Sequence, residues 1–221
     1  YDVLENTTQA RQAASAFGLF QKMLADLPAG QLSETIPNFH NGPWRLANFK
    51  AALEADALGR AAQARGEIDF VLEHQELFNV LPRLVQAGRI PLRITHNDTK
   101  INNVMLDDAT GQGVCVIDLD TVMPGLALYD FGDIFRTVVS PAAEDETDLS
   151  RVQIVPERFE AIVQGYLATA GQFLNETEIE HMLHGGMLIT LIVGTRFLTD
   201  FLEGDQYFKI HREGHNLAVG L

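Results

Sequence analysis

The chain has 221 residues, 46% apolar and 21% charged, which is enough to bury a real core and excludes wholesale disorder. Lys and Arg number 16 against 30 Asp and Glu, a formal charge of −14; such a surface repels nucleic-acid phosphates, and no basic stripe reverses that. A single cysteine excludes an intrachain disulfide, and the absence of a signal-peptide pattern or a charge-free apolar run near eighteen residues leads us to expect a soluble, cytoplasmic protein with no membrane partner.

From about Thr8 to Leu27, Ala13, Phe17, Phe20, Leu24 and Leu27 recur at spacings of three and four, which predicts an amphipathic helix closed by the breaker at Pro28–Gly30. Pro37 and Pro43 mark a loop, and a second helix is predicted from Pro43 into the early sixties. A third is predicted from Gly66 to Ala87, with Pro82 expected to end or kink its last turns. Two short β-rich runs, NVMLD and VCVID, follow, joined by the turn-forming DATGQG, and predict a hairpin over about 103–118. Cys115, in the second run, reads as a small buried hydrophobe. Helices are then predicted over Tyr129–Val139, Pro156–Ala170 and Glu176–Phe201, with Gly185 and Gly186 permitting a break in the last. AAEDETDLS reads as a solvated acidic loop. The predicted class is mostly α with a small β-hairpin (α+β), in one domain.

The hairpin carries the chemistry. His96-x-Asp98 precedes it, Asn103 follows Asp98 by five residues, and Asp118 directly follows the apolar strand VCVI. H-x-D-x-x-x-x-N, strand, turn, strand and Asp is the logic of a kinase catalytic loop. A hydroxyl attacking a γ-phosphoryl needs a carboxylate to orient it and take its proton, the role predicted for Asp98. Mg²⁺ takes oxygen ligands, which Asn103 and Asp118 supply from the open end of one hairpin. His96 is expected to brace the loop. Asp120 is either a further metal-side carboxylate or a solvated loop residue. The literal string D-F-G at Asp130–Gly132 is a decoy for the metal site, because no buried β-run precedes it. Asp130 is expected to cap the following helix and anchor the catalytic loop.

THNDTKINNVMLD followed by CVIDLDTVMPGLALYDFGDIFRT resembles the aminoglycoside-phosphotransferase-like superfamily, whose fold is protein-kinase-like. The THNDTKxNNV form, with Asn97 where relatives generally carry Gly or a similar residue, is similar to the N-acetylhexosamine 1-kinases, as are FGLFQKMLADL, ETIPNFHN and GTRFLTDFLEGDQYFKIHREGHN. The resemblance implies Asp98 as base, Asn103 and Asp118 as Mg²⁺ ligands, ATP as phosphoryl donor, and a sugar acceptor facing Arg196 and Tyr207. On the residues alone, Arg196 equally fits a salt bridge to Asp200, and Tyr207 a packing aromatic. No Gly-rich phosphate-covering loop, strand Lys or Glu partner occurs, and the chain opens at Tyr1 without Met. It is therefore expected to be the C-terminal lobe only, lacking the N-terminal ATP-binding lobe and inactive alone.

The expected reaction is transfer of the γ-phosphoryl of ATP to a sugar hydroxyl, the anomeric one of an N-acetylhexosamine. Same-fold kinases for choline, homoserine or an aminoglycoside stay open, as does a non-catalytic binding lobe. Sulfatase chemistry is unsupported, since neither Cys115 nor any Ser lies in a C/S-x-P-x-R setting.

Overall fold

The computed structural model describes residues 4, 6–143, 146, 148–212 and 214–219, so three residues of the acidic loop (144, 145 and 147) lie outside the described residues. Helix α1 (Thr7–Met23) starts where the Asn6 side chain accepts the Gln9 amide and buries Ala13, Ala14 and Phe17. It ends four residues before the predicted stop because Leu24, Ala25 and Leu27 donate to carbonyls three residues back, tightening the chain out of α-geometry. Helix α2 (Gly42–Ala55) is capped by Asn41 and stops at Asp56, which turns left-handed at φ 32°, well short of the early sixties.

The predicted third helix is two. α3 (Arg65–Glu73) and α4 (Leu77–Gln86) are separated at residues 74–76, where Leu77 and Phe78 donate to the His74 and Gln75 carbonyls as turns. Pro82 neither starts this break nor ends α4; it lies inside the helix, where its missing N–H costs only the carbonyl of Phe78 in the first turn its helical donor.

Among the described residues four short strands lie around the middle of the chain. β2 (Val104–Leu106) and β3 (Gly113–Val116) form the predicted hairpin, pairing Val104 with Val116 and Met105 with Cys115. Cys115 is exposed, contrary to expectation: it pairs with the outward-facing Met105, while Val104 and Leu106 turn inward. A second ribbon pairs β1 (Arg93–Thr95) with β4 (Met123–Gly125), antiparallel, Thr95 opposite Met123. No periodicity announces it, since each strand has three residues and β4 contains Pro124.

Helices α5 (Ala127–Val138), α6 (Pro156–Ala170), α7 (Glu176–Glu180), α8 (Met182–Glu203) and α9 (His215–Val219) complete the chain. α1 lies along α6, and α5 lies along α8, which also meets α2 and α4. The break after α7 falls at His181. Gly185 and Gly186 sit within continuous helix instead, where a Cβ on Gly185 would come within 2.4 Å of the Leu128 carbonyl oxygen. The glycine pair lets α5 and α8 touch backbone to backbone. α8 is long and apolar enough to cross a membrane by length and composition, yet 67% of its apolar window is buried inside the fold, as in a core helix.

Candidate active site

β1 delivers the chain into the loop at residues 96–98. Asn97 there is left-handed at φ 66° and almost fully buried, a conformation suited to Asn or Gly. Its side-chain amide donates to the Thr95 and Thr121 carbonyls at 3.1 and 3.0 Å, which glycine could not do. This gives a physical reason for Asn at this left-handed position.

The loop is held from below by Asp130 on α5. Its carboxylate accepts the amides of His96 and Asn97 at 2.9 and 2.7 Å, and its carbonyl accepts the Thr99 hydroxyl at 2.6 Å. Asp130 stands in the first turn of α5 rather than at its N-cap, which is Leu126, so it does not cap that helix as expected. The side-chain amide of Gln21 on α1 donates to the same carboxylate, and its Oε1 accepts the Tyr166 hydroxyl of α6 at 2.6 Å. Burial pushes the Asp130 carboxyl up to about 6, against the pull of its amide donors. Gln21 was given no role from sequence, although a glutamine one turn after Phe17 on an apolar helical face is a signal for a buried polar partner.

His96 is fully buried, edge-on to Phe17 and Phe20. One ring nitrogen lies 2.9 Å from the Ile117 carbonyl, and the other accepts the Asp98 amide at 3.3 Å. His96 thus joins the loop to the end of the hairpin. The Thr121 hydroxyl donates to the His96 carbonyl at 2.6 Å, and the Ile117 amide to that of Asn103 at 2.9 Å. Asp98, Asn103 and Asp118 are thereby stitched into one locality.

In Asp98 a single carboxylate oxygen takes both the Asn103 amide and the Lys100 ammonium, each at 2.9 Å; its other oxygen has no hydrogen-bond partner among the described residues. Lys100, another residue given no role from sequence, would be lowered by its burial, but the Asp98 hydrogen bond and charge, with Asp118 and Asp133, hold its pKa above the ordinary lysine value. Asp118 is exposed and left-handed at φ 62°, ψ 60°, strained for a non-glycine residue. Among the described residues its carboxylate makes no hydrogen bond or ion pair. Asp120 is exposed, and only its carbonyl is engaged, by Thr35.

Among the described residues no three His, Cys, Asp or Glu side chains cluster as a metal cage. That donor set suits Mg²⁺ arriving with a polyphosphate, which needs only one or two protein oxygens. The side-chain oxygen of Asn103 and the unengaged carboxylate of Asp118 are such donors.

Arg196 and Tyr207 lie elsewhere, on a cavity of about 230 Å³ between α2 and α8 that Trp44, Arg45 and Phe208 also line. Arg196 makes no salt bridge to Asp200. Its guanidinium sits 5.3 Å from the Phe39 ring centre, 5.4 Å from that of Phe208 and 5.9 Å from that of Tyr207. Arg45 is lowered to about 10 by burial and by repulsion from Arg196, and both stay charged at neutral pH. Two adjacent residues, also missed from sequence, join this cavity to the loop. Phe39 stacks under Arg196, and its carbonyl accepts from Arg45 at 3.1 Å; His40 reaches the Asn97 carbonyl at 2.8 Å.

The profile of the phosphotransferase enzyme family, APH, matches residues 1–172. The chain belongs to this family. The match spans the catalytic-loop region, the hairpin and α5, so APH membership makes the chain a kinase-like transferase with a nucleotide and a small molecule as the expected pair of substrates. Arg196, Asp200 and Tyr207 fall after the matched residues, on the part of the chain that the APH profile leaves undescribed.

Proposed function

We propose that the chain carries the catalytic loop and acceptor site of a kinase that moves the γ-phosphoryl of ATP to a hydroxyl of a neutral sugar, the anomeric one of an N-acetylhexosamine. The observation that carries the acceptor class is the pair of guanidinium groups, Arg45 and Arg196, on a cavity tied to the catalytic loop through Phe39 and His40. Guanidinium donors and flanking aromatic rings suit hydroxyl and acetamido oxygens, and the Asp200 and Glu203 carboxylates that share the lining offset the two guanidinium charges, which fits an uncharged acceptor.

In this reading the open oxygen of Asp98 accepts the proton of the attacking hydroxyl, while Asn103 and Lys100 fix the other oxygen. His96 and Asp130 hold the loop. Asn103 and Asp118, with Asp120 nearby in sequence, would hold Mg²⁺, which supplies neutralisation of the triphosphate charge. Positioning does most of the work. Since the sequence contains no Gly-rich phosphate-covering loop, the 221-residue chain is proposed to bind acceptor without turnover on its own.

The test is Mg²⁺-dependent ADP release by this chain and by a longer form adding a nucleotide-binding lobe, with N-acetylglucosamine, N-acetylgalactosamine, choline and an aminoglycoside. Turnover of the longer form on the acetylated sugars supports the reading. Turnover on choline or the aminoglycoside overturns the acceptor, and silence of both forms on all four favours a binding lobe without catalysis.

A further inference from the structure

Asp200 lies four residues after Arg196 on α8, where a carboxylate would ordinarily pair with the guanidinium. It is 3% exposed and lines the same cavity, yet it makes no salt bridge to Arg196. Just beyond it, Gly204 at φ 101° and Asp205 at φ 58° are consecutive left-handed residues that end α8 and reverse the chain. The reversal turns three successive amides toward the helix it has left. One Asp200 oxygen accepts from the Gln206 and Tyr207 amides at 2.9 and 2.8 Å; the other accepts from Phe208 at 3.0 Å and from the Asn216 side chain at 2.7 Å. Successive amides converging on one point form a nest for an anion, and Asp200 is that anion, supplied by the chain itself.

What the nest holds in place is the wall of the cavity. Phe208 stacks on Phe197 of α8 with ring centres 3.9 Å apart, and Tyr207 meets Phe208 edge-on at 4.8 Å. Arg196 lies over both rings. The far side of the reversal is tied separately, by Arg60 to Asp205 at 2.6 Å and Asn216 to Asp205 at 2.8 Å. The same four donors occupy the Asp200 carboxylate, which makes no salt bridge to Arg196 although both line the cavity.

We propose that Asp200 is a positioning residue for acceptor binding: it pins residues 206–208 so that Tyr207 and Phe208 present one face of the acceptor cavity beside Arg196. This rests on the reading of the cavity as the acceptor site. Asp200 does not touch the reacting atoms; it acts through Tyr207, Phe208 and Arg196.

Trp44 is the only tryptophan, is 39% exposed and lines the cavity, so its emission reports occupancy without any turnover. The experiment titrates the 221-residue chain with N-acetylglucosamine, comparing wild type with Asp200→Asn and, as a milder lesion should that variant misfold, Asn216→Ala. The expected result is saturable quenching or shift in wild type and a midpoint raised about tenfold in Asp200→Asn, the size of a lost charge-assisted contact. Asn216→Ala should fall between the two. In a form with turnover, the acceptor KM should rise while kcat and the ATP KM hold, a split that general destabilisation would not produce. A response in wild type with unchanged midpoints in the folded variants overturns the positioning role and leaves the acceptor site standing. No response in wild type removes the acceptor site, and the inference with it.

Discussion

At the scale of single residues, the proposed catalytic loop works by division of labour between the two oxygens of one carboxylate. Asp98 gives one oxygen to Asn103 and Lys100, which fixes its orientation, and its other oxygen is the one proposed to meet the acceptor hydroxyl. Asp98→Asn keeps the shape and removes the base. Turnover in a form carrying the nucleotide-binding lobe should fall by on the order of a hundredfold or more. The Trp44 titration with acceptor should be unchanged, because the cavity wall does not include Asp98. A near-normal rate would take Asp98 out of the chemistry. Lys100 is the residue whose relation to Asp98 only coordinates reveal: a lysine two positions on in a loop has no preferred direction in sequence, and its ion pair depends on how the loop at 96–98 turns at Asn97.

At the scale of elements, the loop is as firm as the crossing of the helix that holds it. α5 carries Asp130, and α5 meets α8 through glycines: a Cβ on Gly132 would lie 2.4 Å from the Gly185 carbonyl oxygen, and one on Gly185 equally close to that of Leu128. Backbone cannot yield as a side-chain tip can. Gly185→Ala should therefore cost about 1–3 kcal/mol of stability by overpacking. Gly66→Ala is the contrast, since nothing lies within 4 Å of its Cβ on α3 and the change should be neutral or stabilising by up to about 1 kcal/mol. Thermal melts of the two variants decide the matter, and equal effects would refute the close crossing. The same glycines show where the sequence could be read and where it could not. Apolar periodicity located α1, and two β-rich runs around a turn-forming segment located the hairpin, because these signals are local. Periodicity joined α3 to α4 because apolar spacing continues across residues 74–76, and it left room for a break at Gly185–Gly186 because helical propensity carries no information about a partner's backbone. The H-x-D-x-x-x-x-N pattern was legible since its roles are local. The Phe39–His40 bridge was not, because it joins residues about sixty and one hundred and sixty positions apart.

At the scale of the whole molecule, His40 connects cavity and loop in one buried contact, and its titration couples that joint to global stability. Burial, followed by the field of Arg196, Arg45 and Arg136, lowers it to about 4 despite its bond to the Asn97 carbonyl. With the folded value below the unfolded one, the unfolded chain binds a proton between about pH 6.5 and pH 4 while the folded chain does not, so this group removes stability as pH falls through that window. Asp130 acts oppositely. Its value is raised to about 6, so the folded state takes the proton first and gains stability as pH falls from about 6 toward 4. The two windows overlap, and wild-type stability alone would show little slope from either. The difference between wild type and His40→Gln separates them, since Asp130 is common to both and glutamine can still donate to the Asn97 carbonyl. Urea denaturation should show the variant gaining about 2 kcal/mol on wild type between about pH 7 and pH 5. A difference that stays constant with pH would mean that His40 is solvated rather than sealed between the cavity and the loop. The cavity and the catalytic loop would then be free to move independently, and acceptor recognition would have to reach Asp98 by some path other than Phe39 and His40.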